Sequence, residues 1–259
     1  MHIGLFDSGV GGLTVLKELM KQIPEASYTY LGDTARLPYG NKAPQTLEKY
    51  TQENIEFLDK QGVDAIVIAC HSASSVSLDF KSSKAGTPIF NVIAPSCEQA
   101  KRSSPKGAIG VIATKATVRS QVYSRYISHL SPNLKVTSQE CPLLVPLVEE
   151  GLADDEITLS VLNRYLKPLL DQGIDTLILG CTHYPILKNQ IAKICGESVS
   201  LIDPAQSVAR ELKKTGTEAS PHPHLTIYLT DHAPHFIEHA QSLLGELSCS
   251  QILYPSDVV

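Results

Sequence analysis

Short apolar runs alternate along the chain with stretches of helical length in which apolar residues recur every three to four positions. This is the pattern of βαβ units around a parallel sheet. IGLF from Ile3 predicts a first strand and LTVLKELMKQI from Leu13 a helix. YTYLGD predicts a second strand, and TLEKYTQENIEFLDKQG a second helix closed by Gly62. AIVIA is then a strand ending at Cys70, and TPIFNVIAPS a further strand. The predicted fold class is α/β with mainly parallel sheets.

The pattern then restarts near residue 98. AIGVIATKAT repeats the apolar run and small polar turn of HIGLFDSGVGG, and KVTSQECP stands where YTYLGD stood. TLILG likewise takes the place of AIVIA, and VSLIDPAQS that of IFNVIAPS. Four matched steps in order point to an internal duplication. LTIYLTDHAPHFIEHAQSLLG adds one more strand and helix, too short to fold alone and expected to pack on one of the halves.

At 259 residues the chain allows two domains, and 42% hydrophobic content is ample for a core. A net charge of -5 with no basic run argues against a nucleic-acid partner. The opening MHIGLFDSGVGG lacks the layout of a signal peptide, and no apolar run reaches the roughly 18 residues of a membrane span, so no membrane association is expected and the location predicted is cytoplasmic. The six cysteines, Cys70, Cys97, Cys141, Cys181, Cys195 and Cys249, form no CxxC pair and are expected to be free thiols.

The duplication acquires chemical meaning at the third strand of each half. QGVDAIVIACHSAS and QGIDTLILGCTHYP place Cys70 and Cys181 at the same step, 111 residues apart. Ligands of open parallel sheets bind beyond the carboxyl ends of strands, so two such halves facing each other bring both thiols to one ligand from opposite sides. Inverting a carbon that carries an acidic hydrogen needs a base on one face and a proton donor on the other. A thiol, with a reference pKa of about 8.5, can take either part. Either cysteine alone reads as a buried apolar residue; the repeat-equivalent pair, set in the polar contexts CHS and CTH, favours chemistry. Zinc held by Cys70, His71, Cys181 and His183 is disfavoured because adjacent strand residues face opposite ways, and no metal is expected. A Cys–His hydrolase leaves the second cysteine unexplained. DSGVGG with Asp33 has the outline of a dinucleotide-binding turn, but Thr14 occupies the third glycine position. Its glycines and the following helix still offer donors to a carboxylate, while Asp7 is either a helix cap or an ionisable group at a strand end.

FDSGVGG, LPYG, ACHSAS, CPLLVPLVEEG and LGCTHYP, in this order and at these separations, together resemble the glutamate racemases of the aspartate/glutamate racemase family, over essentially the whole chain. The resemblance implies two α/β domains, 1–97 with 210–259 and 98–209, with the active site in the cleft between them. It implies interconversion of L- and D-glutamate with no cofactor, the D-glutamate serving peptidoglycan and hence cell-wall biogenesis and cell shape. By the same resemblance Cys70 deprotonates D-glutamate with help from Asp7, and Cys181 deprotonates L-glutamate with help from His183. Glu149 falls at a supporting acid, with Glu150 beside it as the alternative carboxylate. Ser8, Pro38, Tyr39, Gly40, Ser72, Thr117 and Thr182 fall where the family holds substrate.

The family pattern after the first cysteine is Asn then Thr; this chain has His71 and Ser72. Serine keeps the hydroxyl, whereas histidine at this substrate-facing position changes size, donor geometry and potential charge beside Cys70. The expected partner is therefore small-molecule glutamate. A related acid such as aspartate, or a weakly active binding module, stands as the alternative, and a homodimer is left open.

Overall fold

The computed structural model describes residues 1–216, 219–232, 234–245 and 249–254. Its first half runs β1 (His2–Asp7), α1 (Leu13–Gln22), β2 (Ser27–Gly32), α2 (Pro44–Lys60), β3 (Ala65–Ile68), α3 (His71–Ser74), β4 (Ile89–Asn91) and α4 (Ile93–Ser103). The second runs β5 (Ala108–Ala113), α5 (Lys115–Arg119), α6 (Val122–Leu130), β6 (Lys135–Glu140), α7 (Leu144–Glu149), α8 (Glu156–Leu170), β7 (Thr176–Gly180), α9 (Lys188–Cys195), β8 (Ser200–Ile202) and α10 (Pro204–Lys213). β9 (Leu225–Leu229), α11 (Pro234–Leu244) and β10 (Cys249–Leu253) follow.

All pairings between these strands are parallel, as helical crossovers require. The sheets have the orders β10-β9-β2-β1-β3-β4 and β6-β5-β7-β8. The first four strands of each half thus follow one order, and the duplication legible in the sequence is a duplication of topology. LTIYL forms β9 and pairs with β2, from Tyr28 opposite Leu225 to Gly32 opposite Leu229, so the last segment completes the first sheet.

One predicted strand is shorter than expected. TPIFNVIAPS contributes only Ile89–Asn91 to the sheet, and its second part opens α4. The cause is local: Asn91 Oδ1 accepts the Ile93 and Ala94 N–H groups, both at 3.0 Å, and so caps the helix. Asp203 repeats the device, accepting the Ala205 N–H at 3.0 Å while Pro204 opens α10.

The central strands of each sheet are buried on both faces. Ile3, Leu5 and Val67 of the first sheet and Ile109 and Val111 of the second join α1, α4 and α10 in one apolar core between the sheets. The outer face of the first sheet packs Phe6, Ile66 and Ile68 on α2, and that of the second packs Leu177 and Leu179 on α8 and α9. The boundaries expected at 97/98 and 209/210 fall inside α4 and α10, helices through which the halves pack. No helix among the described residues is long and apolar enough to cross a membrane. Cys70, Cys97, Cys141, Cys181 and Cys195 are free thiols; the Cys249 side chain lies outside the described ones.

Candidate active site

Both repeat-equivalent cysteines stand just past the carboxyl ends of equivalent strands, Cys181 directly after β7 and Cys70 two residues beyond β3. The two-residue period sends Val67 and Ile178 toward the shared core, and it sends Ile68 with Cys70, and Leu179 with Cys181, to the outer faces. Corresponding positions therefore carry corresponding thiols. Each is 5% exposed, and both line one cavity of about 210 Å³. Sites for drug-sized ligands hold roughly 300–1,000 Å³, so this one suits a molecule the size of a single amino acid.

The surroundings of the two thiols differ. Cys70 Sγ lies 4.0 Å from Ser8 Oγ. Burial, and then the Asp7 carboxylate, raise the Cys70 pKa, against the pull of the Ala73 and Ser72 N–H groups. Asp7 does not cap α1, whose cap position is Gly12. Its carboxylate instead accepts the Gly9 N–H at 3.1 Å and the Thr182 hydroxyl at 3.3 Å, fully buried behind the cavity wall. Burial raises its pKa too, opposed by the charge of His183. The glycines of the DSGVGG turn have a steric reason: a Cβ on Gly11 would lie 2.4 Å from His183 Nδ1, and one on Gly12 2.4 Å from Asp7 Cβ. The turn allows the first half to touch the groups flanking both thiols.

Beside Cys181, His183 Nδ1 lies 3.8 Å from the sulphur, and Nε2 lies 3.0 Å from Glu149 Oε1. Glu150 is exposed, so Glu149 is the carboxylate in contact. Burial disfavours a charged His183, but its bonds to Cys181 and Glu149 outweigh this and raise its pKa to about 10. The unfolded imidazole titrates near 6.5. The bound proton therefore stabilises the folded chain fully below about pH 6.5, and that contribution is lost as pH rises toward about 10. Above about pH 7.5 the unfolded His71 imidazole no longer binds a proton, so its lowered folded pKa stops opposing this loss; melting temperature is expected to fall between about pH 7.5 and 8.5, below the ordinary range of the Cys70 thiol, and His183→Asn should flatten this limb. An equal slope in both proteins would show that His183 carries no such proton.

Pro38, Tyr39, Gly40, His71, Ser72 and Thr182 all line the cavity, as does Ser8. Thr182 is held across the halves, its carbonyl accepting the Thr14 hydroxyl at 2.9 Å. Thr117 does not reach the wall; it is buried behind Thr114, whose hydroxyl lies 3.1 Å from its own. His71 is 3% exposed, and neither ring nitrogen has a hydrogen-bond partner among the described residues. Burial lowers its pKa to about 3, so the imidazole is neutral near pH 7 and brings no charge to Cys70. It offers one donor and one acceptor.

The sequence reading missed Thr114, Lys115, Asn41 and Cys141, together with the apolar wall of Pro142, Val145 and Pro146. For Thr114 a signal existed, since it follows β5 as Ser8 follows β1. Its hydroxyl meets that of Ser72 at 3.0 Å, joining the halves at the cavity. No group of three or more His, Cys, Asp or Glu side chains among the described residues is arranged to hold a metal ion.

A family model for Asp/Glu/Hydantoin racemase matches residues 11–212. The glutamate racemase of Persephonella marina is 44% identical over 236 residues, covering 91% of this chain and 90% of its own. Among solved structures, a glutamate racemase isoform of Bacillus anthracis matches with a TM-score of 0.93 at 36% identity, covering 99% of this chain and 98% of that one. The glutamate racemase of Francisella tularensis, solved in complex with D-glutamate, matches at 0.89 and 36% identity, covering 98% and 97%. The fold and these similarities define an isomerase of amino acids, and the chain belongs to the Asp/Glu/hydantoin racemase family. Within that family its enzyme type is glutamate racemase, acting on glutamate.

Proposed function

We propose that the chain interconverts L- and D-glutamate without a cofactor, Cys70 and Cys181 serving as acid and base on opposite faces of the α-carbon. The D-glutamate so formed feeds peptidoglycan synthesis in the cytoplasm, and the segments 1–97 with 210–259 and 98–209 act as the two domains. The observation that carries this reading is that repeat-equivalent thiols, from different sheets, line one cavity of amino-acid size.

For L-glutamate, Cys181 removes the α-proton while Cys70, held as a thiol by burial and by Asp7, delivers its own proton to the other face. The enzyme is then in the opposite protonation state, which serves D-glutamate. His183, with Glu149 behind it, keeps a positive charge beside a sulphur that alternates between thiolate and thiol. Ser8, Ser72, Thr182, neutral His71 and the Pro38–Gly40 backbone offer hydrogen bonds to the substrate's carboxylates and ammonium. Thr117 supports them through Thr114.

Circular dichroism of L-glutamate in deuterium oxide, with a strong chelator and no pyridoxal phosphate or nicotinamide, tests the proposal. The signal is expected to decay to zero while solvent deuterium enters the α-position. Inactivation by the chelator that zinc reverses would sink the two-thiol reading.

A further inference from the structure

Behind the cavity wall of the first half lies a buried ionic cluster that the proton-transfer scheme does not use. Asp33, 0% exposed, directly follows β2. Arg36 Nε donates to both of its oxygens, at 2.9 and 2.8 Å, and the Thr230 hydroxyl just past β9 donates to it at 3.0 Å. The Tyr39 hydroxyl donates to the same carboxylate. Asn54 of α2 closes the ring: its Nδ2 donates to Tyr39 Oη at 3.1 Å, and its Oδ1 accepts from Arg36 at 2.9 Å. Glu53 also accepts from Arg36. Burying charges is costly, and a buried ion pair is weak evidence for stability, so a cluster this complete calls for a geometric role.

What the cluster fixes is Tyr39. Its hydroxyl is turned into the cluster, and burial and the Asp33 charge raise its pKa, so it remains a donor. The cavity therefore meets the rest of this residue and its neighbours Pro38 and Gly40. Gly40 in turn abuts the second half, where an added Cβ would lie 2.9 Å from Thr114 Cβ. Thr114 bonds Ser72, two residues beyond Cys70. An unbroken chain of contacts runs from Asp33 through Tyr39 and Gly40 to Thr114.

We propose that Asp33 is a positioning residue of this active site: acting through the Tyr39 hydroxyl, it sets the 38–40 wall against Thr114 at the spacing that glutamate requires, without touching substrate. The proposal rests on the reading above, in which that wall holds the substrate. Tyr39→Phe and Asp33→Asn, singly and together, are assayed with both enantiomers alongside thermal melts. Tyr39→Phe removes one oxygen and leaves the Asp33–Arg36 pair intact. It is expected to raise KM about tenfold for both enantiomers while kcat changes less than about threefold. Asp33→Asn should do at least as much, and the double variant no more than Asp33→Asn alone, because both act through one bond. A KM within about twofold of wild type in Tyr39→Phe overturns the proposal whatever the melting temperature does. So do additive effects on KM in the double variant, or a fall confined to kcat. If Asp33→Asn fails to fold, Tyr39→Phe decides alone by the first criterion. Deuterium uptake by the wild type reports on the two-thiol scheme separately, so a flat KM in Tyr39→Phe overturns only the positioning role.

Discussion

Cys70→Ser and Cys181→Ser are each expected to lower racemisation by roughly a hundred- to ten-thousandfold, the contribution typical of positioned acid–base groups. A hydroxyl is nearly the size of a thiol but far less acidic, so the cavity survives while one proton carrier is lost. Each variant keeps the other thiol, which gives a sharper readout than lost turnover. Cys181→Ser retains Cys70 on the D-face and should wash deuterium into D-glutamate without making the L-form. Cys70→Ser should do the converse with L-glutamate. Proton NMR of each enantiomer in deuterium oxide follows the exchange directly. Near-normal turnover in either variant would reduce the repeated cysteine to a packing residue.

Gly11→Ala is expected to cost about a hundredfold in kcat, although it adds one methyl group to a residue outside the cavity wall. The new Cβ would stand 2.4 Å from both His183 Nδ1 and Thr182 Oγ1. Neither atom is free to retreat: the imidazole is tied to Glu149 at 3.0 Å, and the threonine hydroxyl donates to Asp7. The ring must shift from its place beside Cys181, and misplacement on the scale of 1 Å can cost a factor of about 10². Overpacking should also lower stability by about 1–3 kcal/mol. Steady-state assays beside thermal melts separate the two effects. A kcat within about threefold of wild type would mean that the His183 position is not critical to proton transfer.

The elements that carry Cys70 and Cys181 were legible because each lies in a local pattern, an apolar strand followed by a polar turn, and because the pattern occurs twice. The start of α4 was not legible. VIAPS continues the apolar character of IFN, and only the side chain of Asn91, folded back on Ile93 and Ala94, ends the strand. Thr114 could be placed by the repeat as the counterpart of Ser8, but its contact with Ser72 depends on how the halves meet, which no single stretch encodes. Asp33, Arg36, Tyr39, Asn54 and Thr230 come together with no common period, so the motif LPYG reveals its tyrosine but not what anchors it. His71 shows a further limit. The sequence allows it a charge beside Cys70, whereas the burial that lowers its pKa to about 3 arises from packing.

The pairing of β9 with β2 also bears on how the chain is made. β2 leaves the ribosome early, whereas its neighbour begins at Leu225. At synthesis rates of about 5–20 residues per second, roughly 10–40 seconds separate the two. Throughout that interval the β2 edge has no native partner on that side, and all six of its residues are destined for burial. An open apolar edge of this kind is a template for pairing with other nascent chains. The half that is translated first is thus the half that is sealed last.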